Sequence, residues 1–367
     1  MAEISDVMSG HFNVQQLQIP SELESRDAAD FLAAIDIDRQ AMLRQWGNDD
    51  LAYTPQEVLA SAQDRYERHR HLIVKDAGEV LGHCQLIMPV EDNQHLLWLS
   101  LAVKSSAEGR GIGQKLLAAA EELARAEGRR TITFQTSHPV QSVRGELVEP
   151  VSGIGRLPRE SREVQFAQRA GYVLEQVERF SLCQLPLASE LLIEQAAIAQ
   201  AAAGENYRLV QWTDHCPEQW LDDFAWLQSR MSTDAPRAGL VREEEPWDAH
   251  RAREGEALAL ALGRTTLVAA VEHLPSGKLV GFTVLTVPAH RQDMIFQDNT
   301  LVVREHRGHK LGLLVKVANL IRLTEERPAV RRIYTWNAAE NEYMLAVNVA
   351  LGFRPAGYTG EWQKVLG

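Results

Sequence analysis

The chain has 367 residues, 45% of them hydrophobic and 24% charged, and carries a formal net charge of −12. That length suits two compact domains, the acidic balance excludes a protein that wraps nucleic acid, and no run of about eighteen apolar residues is present to span a bilayer. Three separated cysteines, Cys84, Cys183 and Cys216, form neither a disulfide framework nor a metal-ligand spacing, which with an N-terminus lacking a secretory pattern points to a reducing cytoplasm and no zinc.

Residues 11–19 (HFNVQQLQI) read as a short extended start. Residues 28–43 and 55–69 have helical period, the second with Thr54 as N-cap and Pro55 in the first turn. Residues 71–90 read as two strands about a Gly78 turn, and 95–103 (HLLWLSLAV) as an apolar strand. After EGRGIG, residues 108–113, the spacing of Ile112, Leu116, Leu117, Ala120, Leu123 and Ala124 predicts a helix ended by Gly128. A strand over 131–137, a short helix closed by Gly171 and a strand over 173–185 follow. Residues 139–160 have no counterpart later in the chain and read as a mobile loop.

The second half repeats this order. It has a strand at 207–213, a helix at 218–231, a hairpin over 265–287 turning at Ser276-Gly277, and a strand at 294–303 leading into REHRGHKLG. A helix marked by Leu314, Val317, Ala318 and Ile321, a strand at 331–337, a helix closed by Gly352 and a last strand at 356–366 complete it. The alanine-rich segment 189–204, capped by Ser189 and stopped by Gly204, reads as a linker helix. The expected organisation is therefore residues 1–186, a linker at 187–205, and residues 206–367, each half a mixed α/β sheet.

A glycine-rich turn between strand and helix aims backbone N–H groups at one point, where the helix dipole adds positive potential and a phosphate can sit. Neither loop has dinucleotide or P-loop spacing. The order of strand, V-x-x-x-x-[RQ]-x-x-G-x-G, helix, strand and short helix ending in GF or GY resembles the GNAT superfamily of acyl-CoA-dependent N-acetyltransferases. It does so twice, in the tandem arrangement of mycothiol synthase-like proteins. The resemblance implies a fold of two mixed, mostly antiparallel sheets flanked by helices, and acetyl-CoA as acyl donor with no metal. In the first copy it assigns the cofactor to Val103, Gly109, Arg110, Gly111, Ile112 and Gly113, with Glu108 where Arg or Gln is usual. In the second it assigns Val302, Val303, Arg307, Gly308, His309, Lys310, Leu311 and Gly312, with Lys310 in place of a glycine, and adds Asn337 and Asn341.

Direct transfer to an amine needs a base beside the thioester. Counting back from Val302 along one strand face gives Thr300, Asp298 and Phe296, whereas Val103 leads back to Leu101, Leu99 and Leu97. Asp298 is thus the expected general base and the C-terminal half the expected catalyst. The family's proton-donating tyrosine is replaced by Asn348 and by Ala167. Two alternatives stand beside this reading: a CoA-binding sensor without turnover, and catalysis in the N-terminal half. The acceptor is expected to be a small primary amine, the acidic charge favouring a cationic one. Glu243–Glu245 and Asp248 read as a solvated acidic loop, and His83 and His138 as ordinary strand or loop residues.

Overall fold

The computed structural model describes residues 12–367, so His11 of the expected opening strand lies outside the described residues. The first half contains β1 (Val14–Leu17), α1 (Ala29–Trp46), α2 (Pro55–Ser61), β2 (Glu67–Asp76), β3 (Glu79–Pro89), β4 (Leu96–Val103), α3 (Ile112–Ala126), β5 (Thr131–Pro139), the two-residue strands β6 (Leu147–Val148) and β7 (Leu157–Pro158), α4 (Arg162–Arg169) and β8 (Val173–Gln184). Linker helix α5 (Ser189–Ala203) leads to β9 (Tyr207–Thr213), α6 (Leu221–Asp234), α7 (Ala249–Ala261), β10 (Arg264–His273), β11 (Lys278–Pro288), β12 (Met294–Val302), α8 (Leu311–Glu326), β13 (Arg332–Ala338), α9 (Glu342–Ala350) and β14 (Arg354–Val365).

Twelve of the strands form one sheet in the order β1-β2-β3-β4-β5-β14-β8-β13-β12-β11-β10-β9. The last strand of the chain, β14, lies against β5 of the first half, from Gly357↔Pro139 to Val365↔Thr131. In return, β8 of the first half lies against β13 of the second, and β8 and β14 pair with each other down the middle. The two halves thus exchange their closing strands. Residues 187–205 divide the chain but not the sheet.

Side-chain alternation puts the helices on two faces. Gly82 of β3 abuts Ile112 and Leu116 of α3, where a Cβ would lie 2.7 Å from Ile112, while the next residue, His83, bonds Asp38 of α1. In the second half Phe282 meets Phe224 of α6 edge-on, and Gly312 of α8 packs on Val302. Helices α1 and α6 therefore share one face of the sheet, and α3 and α8 the other. A buried polar clamp fixes the halves to each other. Asp50, 4% exposed, accepts from Arg332 at 2.8 Å, from the Tyr334 hydroxyl at 2.6 Å and from Arg291.

Four local expectations change. The second helix stops at Ser61, because residues 67–69 pair with β3 and the buried His69 belongs to that strand. Residues 139–160 are docked rather than loose: Leu157 is fully buried and Gly155 lies against Val177 closely enough that a Cβ would meet it at 2.6 Å. Ser189 is the first residue of α5 rather than its cap, and Ala188 precedes it. After the exposed acidic loop comes a helix that the sequence reading lacks, α7, capped by Asp248, which accepts from the Arg251 amide at 2.8 Å; it is hidden in a charged stretch with little amphipathic pattern.

Trp362 of β14 shows what the exchange does. It is 1% exposed inside the first half's core, and its indole N–H donates to Thr136 Oγ1 at 2.9 Å. Trp362→Ala should therefore destabilise the N-terminal half by about 3–5 kcal/mol. Urea unfolding followed by hydrogen exchange of β3–β5 amides checks this, with loss of protection confined to β9–β12 as the contrary result.

Candidate active site

The first glycine loop begins where β4 ends. After a 3-10 turn at Ser105–Ala107, Gly109 and Gly111 take φ of 76° and 81° and Ile112 opens α3. A side chain in that left-handed region costs roughly 1–2 kcal/mol, which is the physical reason for glycine here. The amides of the first turn of α3 have no intrahelical acceptor and are free to bind an anion. Glu108 does not leave a bare negative charge at this mouth, since Arg162 bonds its carboxylate and Arg44 lies 3.6 Å away. Arg110 turns aside, over the Phe12 ring and 3.3 Å from Asp76.

Strands β4 and β5 are paired from Leu96↔Thr131 to Leu99↔Phe134 and then part. A cavity of about 1380 Å³ passes through this gap. On the α3 face it is lined by Gly109, Gly111, Ile112, Gly113 and Phe166, and Val103 stands at the strand end. On the α1 face it widens into a chamber walled by Asp38, Gln85, Trp98, Ser100, Gln135 and Glu361. The chamber continues to Arg264, Phe296, Asp298 and Trp336 of the second half. Among the sequence-predicted residues, the structure thus brings Asp298 together with the first loop, not with its own.

The second loop has the same backbone course. Gly308 has φ of 91°, and Lys310 occupies the left-handed N-cap position (φ 52°) that Gly111 holds in the first. Arg307 donates from Nε to the Val302 carbonyl at 3.0 Å and lies 3.6 Å from Asp234. His309 packs near Tyr207, and Val303, Leu311 and Gly312 are buried. Behind this loop one side-chain bond joins β13 to β12 and another joins α9 to β13. The Thr335 hydroxyl donates to the Gln297 carbonyl at 3.0 Å, and Asn348 donates to Asn337 Oδ1 at 2.6 Å. Asn341 caps α9 by accepting from the Met344 amide at 3.2 Å. Counting from Gly109 and Gly308, Lys316 stands where the first half has the cavity-lining Leu117. It is buried over the Phe353 ring, and that burial pushes its amine down to about 7.

The strand-face count to Asp298 needs correction. The register between β11 and β12 slips between Thr283↔Thr300 and Leu285↔Gln297, which places an extra residue in β12 at a bulge. Gln297 therefore shares the α8 face with Thr300, and both bond Thr283, at 2.9 and 2.7 Å. Asp298 falls on the opposite face with Phe296, where its carboxylate accepts from the Thr286 hydroxyl. It opens to the chamber but is hemmed by protein, so desolvation raises its pKa, opposed by the Thr286 bond and the Arg264 charge.

Two groups of residues escape a reading of the sequence. Glu361 lies on β14 directly across from Gln135, whose amide donates to it at 2.6 Å. Beside it on β8, Glu178 faces the same side, and Arg242 of the α6–α7 connection is close to both. Burial raises both carboxyls, Glu178 to about 8 with the Glu361 charge adding to it. Arg242 opposes the rise in each, and only Glu361 also receives the Gln135 bond. The second group is a chain from the chamber wall inward. His83 Nδ1 lies 2.8 Å from Asp38, and His83 Nε2 lies 2.9 Å from Nδ1 of the fully buried His71, which burial pushes down to about 3. His83 is thus a buried residue of strand β3 that partners a chamber carboxylate.

Residues 34–144 match the model of the acetyltransferase (GNAT) family. This stretch is similar to GNAT acetyltransferase domains. Solved structures extend the likeness to the whole chain. A tandem GNAT protein from the clavulanic acid biosynthesis pathway is 23% identical, with a TM-score of 0.71 over 97% of this chain and 99% of its own. A GCN5-related N-acetyltransferase from Sphaerobacter thermophilus is 16% identical, at 0.58 over 96% and 95%. A glucosamine N-acetyltransferase region of a fungal GH3 β-N-acetylglucosaminidase is 15% identical, at 0.62 over 99% of this chain and 39% of that one. No curated protein matches the sequence. At these identities the structures establish the tandem GNAT fold, and the GNAT family match falls on the half whose loop opens into the cavity.

The Glu178 carboxyl also sets a pH dependence. Its folded pKa lies above the ordinary 4.5, so between there and about 8 the folded state holds more protons than the unfolded state and stability falls as pH rises. Glu178→Gln should flatten that decline and raise the Tm on its alkaline side. Thermal melts of both proteins across this range measure it, and parallel curves would contradict the assignment.

Proposed function

We propose that the protein is an acetyl-CoA-dependent N-acetyltransferase that passes acetyl directly to a primary amine, with the cofactor held by the N-terminal half. The observation that carries this reading is the single cavity joining the Gly109–Gly113 loop, through the β4/β5 gap, to a chamber on the other face. A pyrophosphate at the start of α3 would leave pantetheine to pass between the strands. Their unpaired edges beyond Leu99 and Phe134 supply backbone groups for its amides. The amine would enter from the chamber and meet the thioester in the gap. The chamber mixes acids with Trp46, Trp98, Phe296 and Trp336, which suits a cation with an apolar body.

A second reading is favoured by the bulge in β12. It presents Asp298 to the chamber from the strand that leads into the second loop, so the C-terminal half would hold the cofactor and Asp298 would be the base. Against it stand the side-chain bonds behind its loop and the burial of Lys316 where the first half is open. CoA binding without turnover is separated from both by following thiol release.

Isothermal titration of acetyl-CoA into wild type, Gly111→Glu and Gly308→Glu should show binding lost in Gly111→Glu and kept in Gly308→Glu. The reverse pattern would transfer the cofactor to the C-terminal half. Thiol release with a panel of spermidine, tyramine, glucosamine and a peptide with a free N-terminus then reports transfer. On the first reading Asp298→Asn should raise KM for the amine with kcat within about tenfold, whereas a base would cost about 10²–10⁴ in kcat.

A further inference from the structure

We propose that Glu361, carried into the first half by the exchanged strand β14, is the general base for the amine in the N-terminal site. The inference rests on the cofactor reading above and adds the group that accepts the proton.

The placement follows from the parting of the strands. Phe134 is the last residue of β5 paired with β4, and Gln135 is the first beyond it. Glu361 is the cross-strand partner of Gln135 and accepts its amide at 2.6 Å. A thioester drawn through the gap therefore emerges beside Glu361, on the side from which the amine arrives. The strand that carries the cofactor in the first half offers no acid of its own: β4 runs Leu96, Leu97, Trp98, Leu99, Ser100, Leu101. The exchange supplies one. Glu361 is 4% exposed, and a buried carboxylate kept without a structural ion pair is costly. Its surroundings keep it charged. Gln135 donates to it and the Arg242 charge favours its ionised form, opposing the burial that raises it.

The connection between α6 and α7 completes the arrangement. The Val241 amide donates to Gln363 Oε1 at 2.9 Å, and Gln363 donates to the Gly239 carbonyl at 3.3 Å. Gln176 donates to the Pro236 carbonyl at 3.1 Å. These bonds hold Arg242 over the carboxylates from the second half of the chain.

The step is a proton transfer followed by acyl transfer. The substrate ammonium gives one proton to Glu361, and the freed nitrogen attacks the acetyl carbon. The C–N bond forms and the C–S bond breaks. The thiolate leaves with the second nitrogen proton, and Glu361 returns its proton to water. The charged groups around Glu361 are Glu178 from β8, Arg242 from the connection and Glu340 beyond β13, with Asp38 on the α1 wall bound to His83.

The test uses the full chain and the best acceptor of the amine panel. Glu361→Gln keeps the Gln135 contact and should lower kcat by about 10²–10³, with acetyl-CoA affinity unchanged. The deficit should shrink as pH approaches the amine's own pKa, where the nucleophile is already free. A Glu361→Gln kcat within about threefold of wild type, or a deficit constant with pH, overturns the proposal. Acetyl-CoA binding that survives Gly111→Glu overturns the cofactor reading instead, whatever Glu361→Gln does. A misfolded variant is recognised by its melt, and Glu361→Asp, which keeps the carboxylate, must then recover part of the rate.

Discussion

The exchange of β8 and β14 is the constraint on which the remaining features depend. Each strand is hydrogen-bonded on both edges, to the other and to a strand of the opposite half. Neither half can close its own sheet, and the core around Ile112 and Leu116 is completed by Trp362 from the far end of the chain. One continuous sheet has one pair of faces. The α1 and α6 sides therefore open onto a common space, and a cavity that begins at the first glycine loop ends among residues of the second half.

Repetition in sequence has not produced two equal sites. The loops follow the same backbone path, with Lys310 bearing the left-handed strain that Gly111 avoids. The difference lies behind them. In the first half the strands part around open space; in the second, Thr335, Gln297, Asn337 and Asn348 bridge the corresponding region with hydrogen bonds. These bonds tie buried amides and hydroxyls together, and breaking them would leave further polar atoms unpaired. Gln297 Oε1 and Asn348 Oδ1 have no partner among the described residues, so the network is not closed and has acceptors to spare.

Much of the fold could be read from the chain. Loop glycines, helix caps such as Thr54 and the apolar strands before each loop are local signals, and the elements they imply are present. What the chain could not announce is non-local. The exchange changes no propensity, since β8 and β14 read as strands whichever neighbour they take. The bulge at Asp298 is set by its pairing with β11, and an alternating count passes through it unaware. Helix α7 escapes a periodicity argument because its charged residues face partners elsewhere in the molecule: Arg251 bonds Asp92 at 2.6 Å, and Glu254 bonds Arg65 at 2.6 Å.

The same reasoning explains why the chamber carboxylates were only partly legible. Asp298 stands out as an acid in an otherwise ordinary strand before a loop. Glu361 sits in GEWQKV, where an alternating strand ordinarily turns its polar residues to water. Here the polar face of β14 is the floor of a chamber roofed by the α6–α7 connection, so Glu361 and Gln363 are buried at 4% and 5%. A pattern that reads as solvent-facing becomes an interior charged surface once another segment covers it. Gln135 and the Arg242 charge, from two separate parts of the chain, favour the ionised carboxylate against that burial. A site assembled this way needs both halves in one polypeptide, and this gives the fused repeat a physical reason to persist even though only one of its two strand gaps is open.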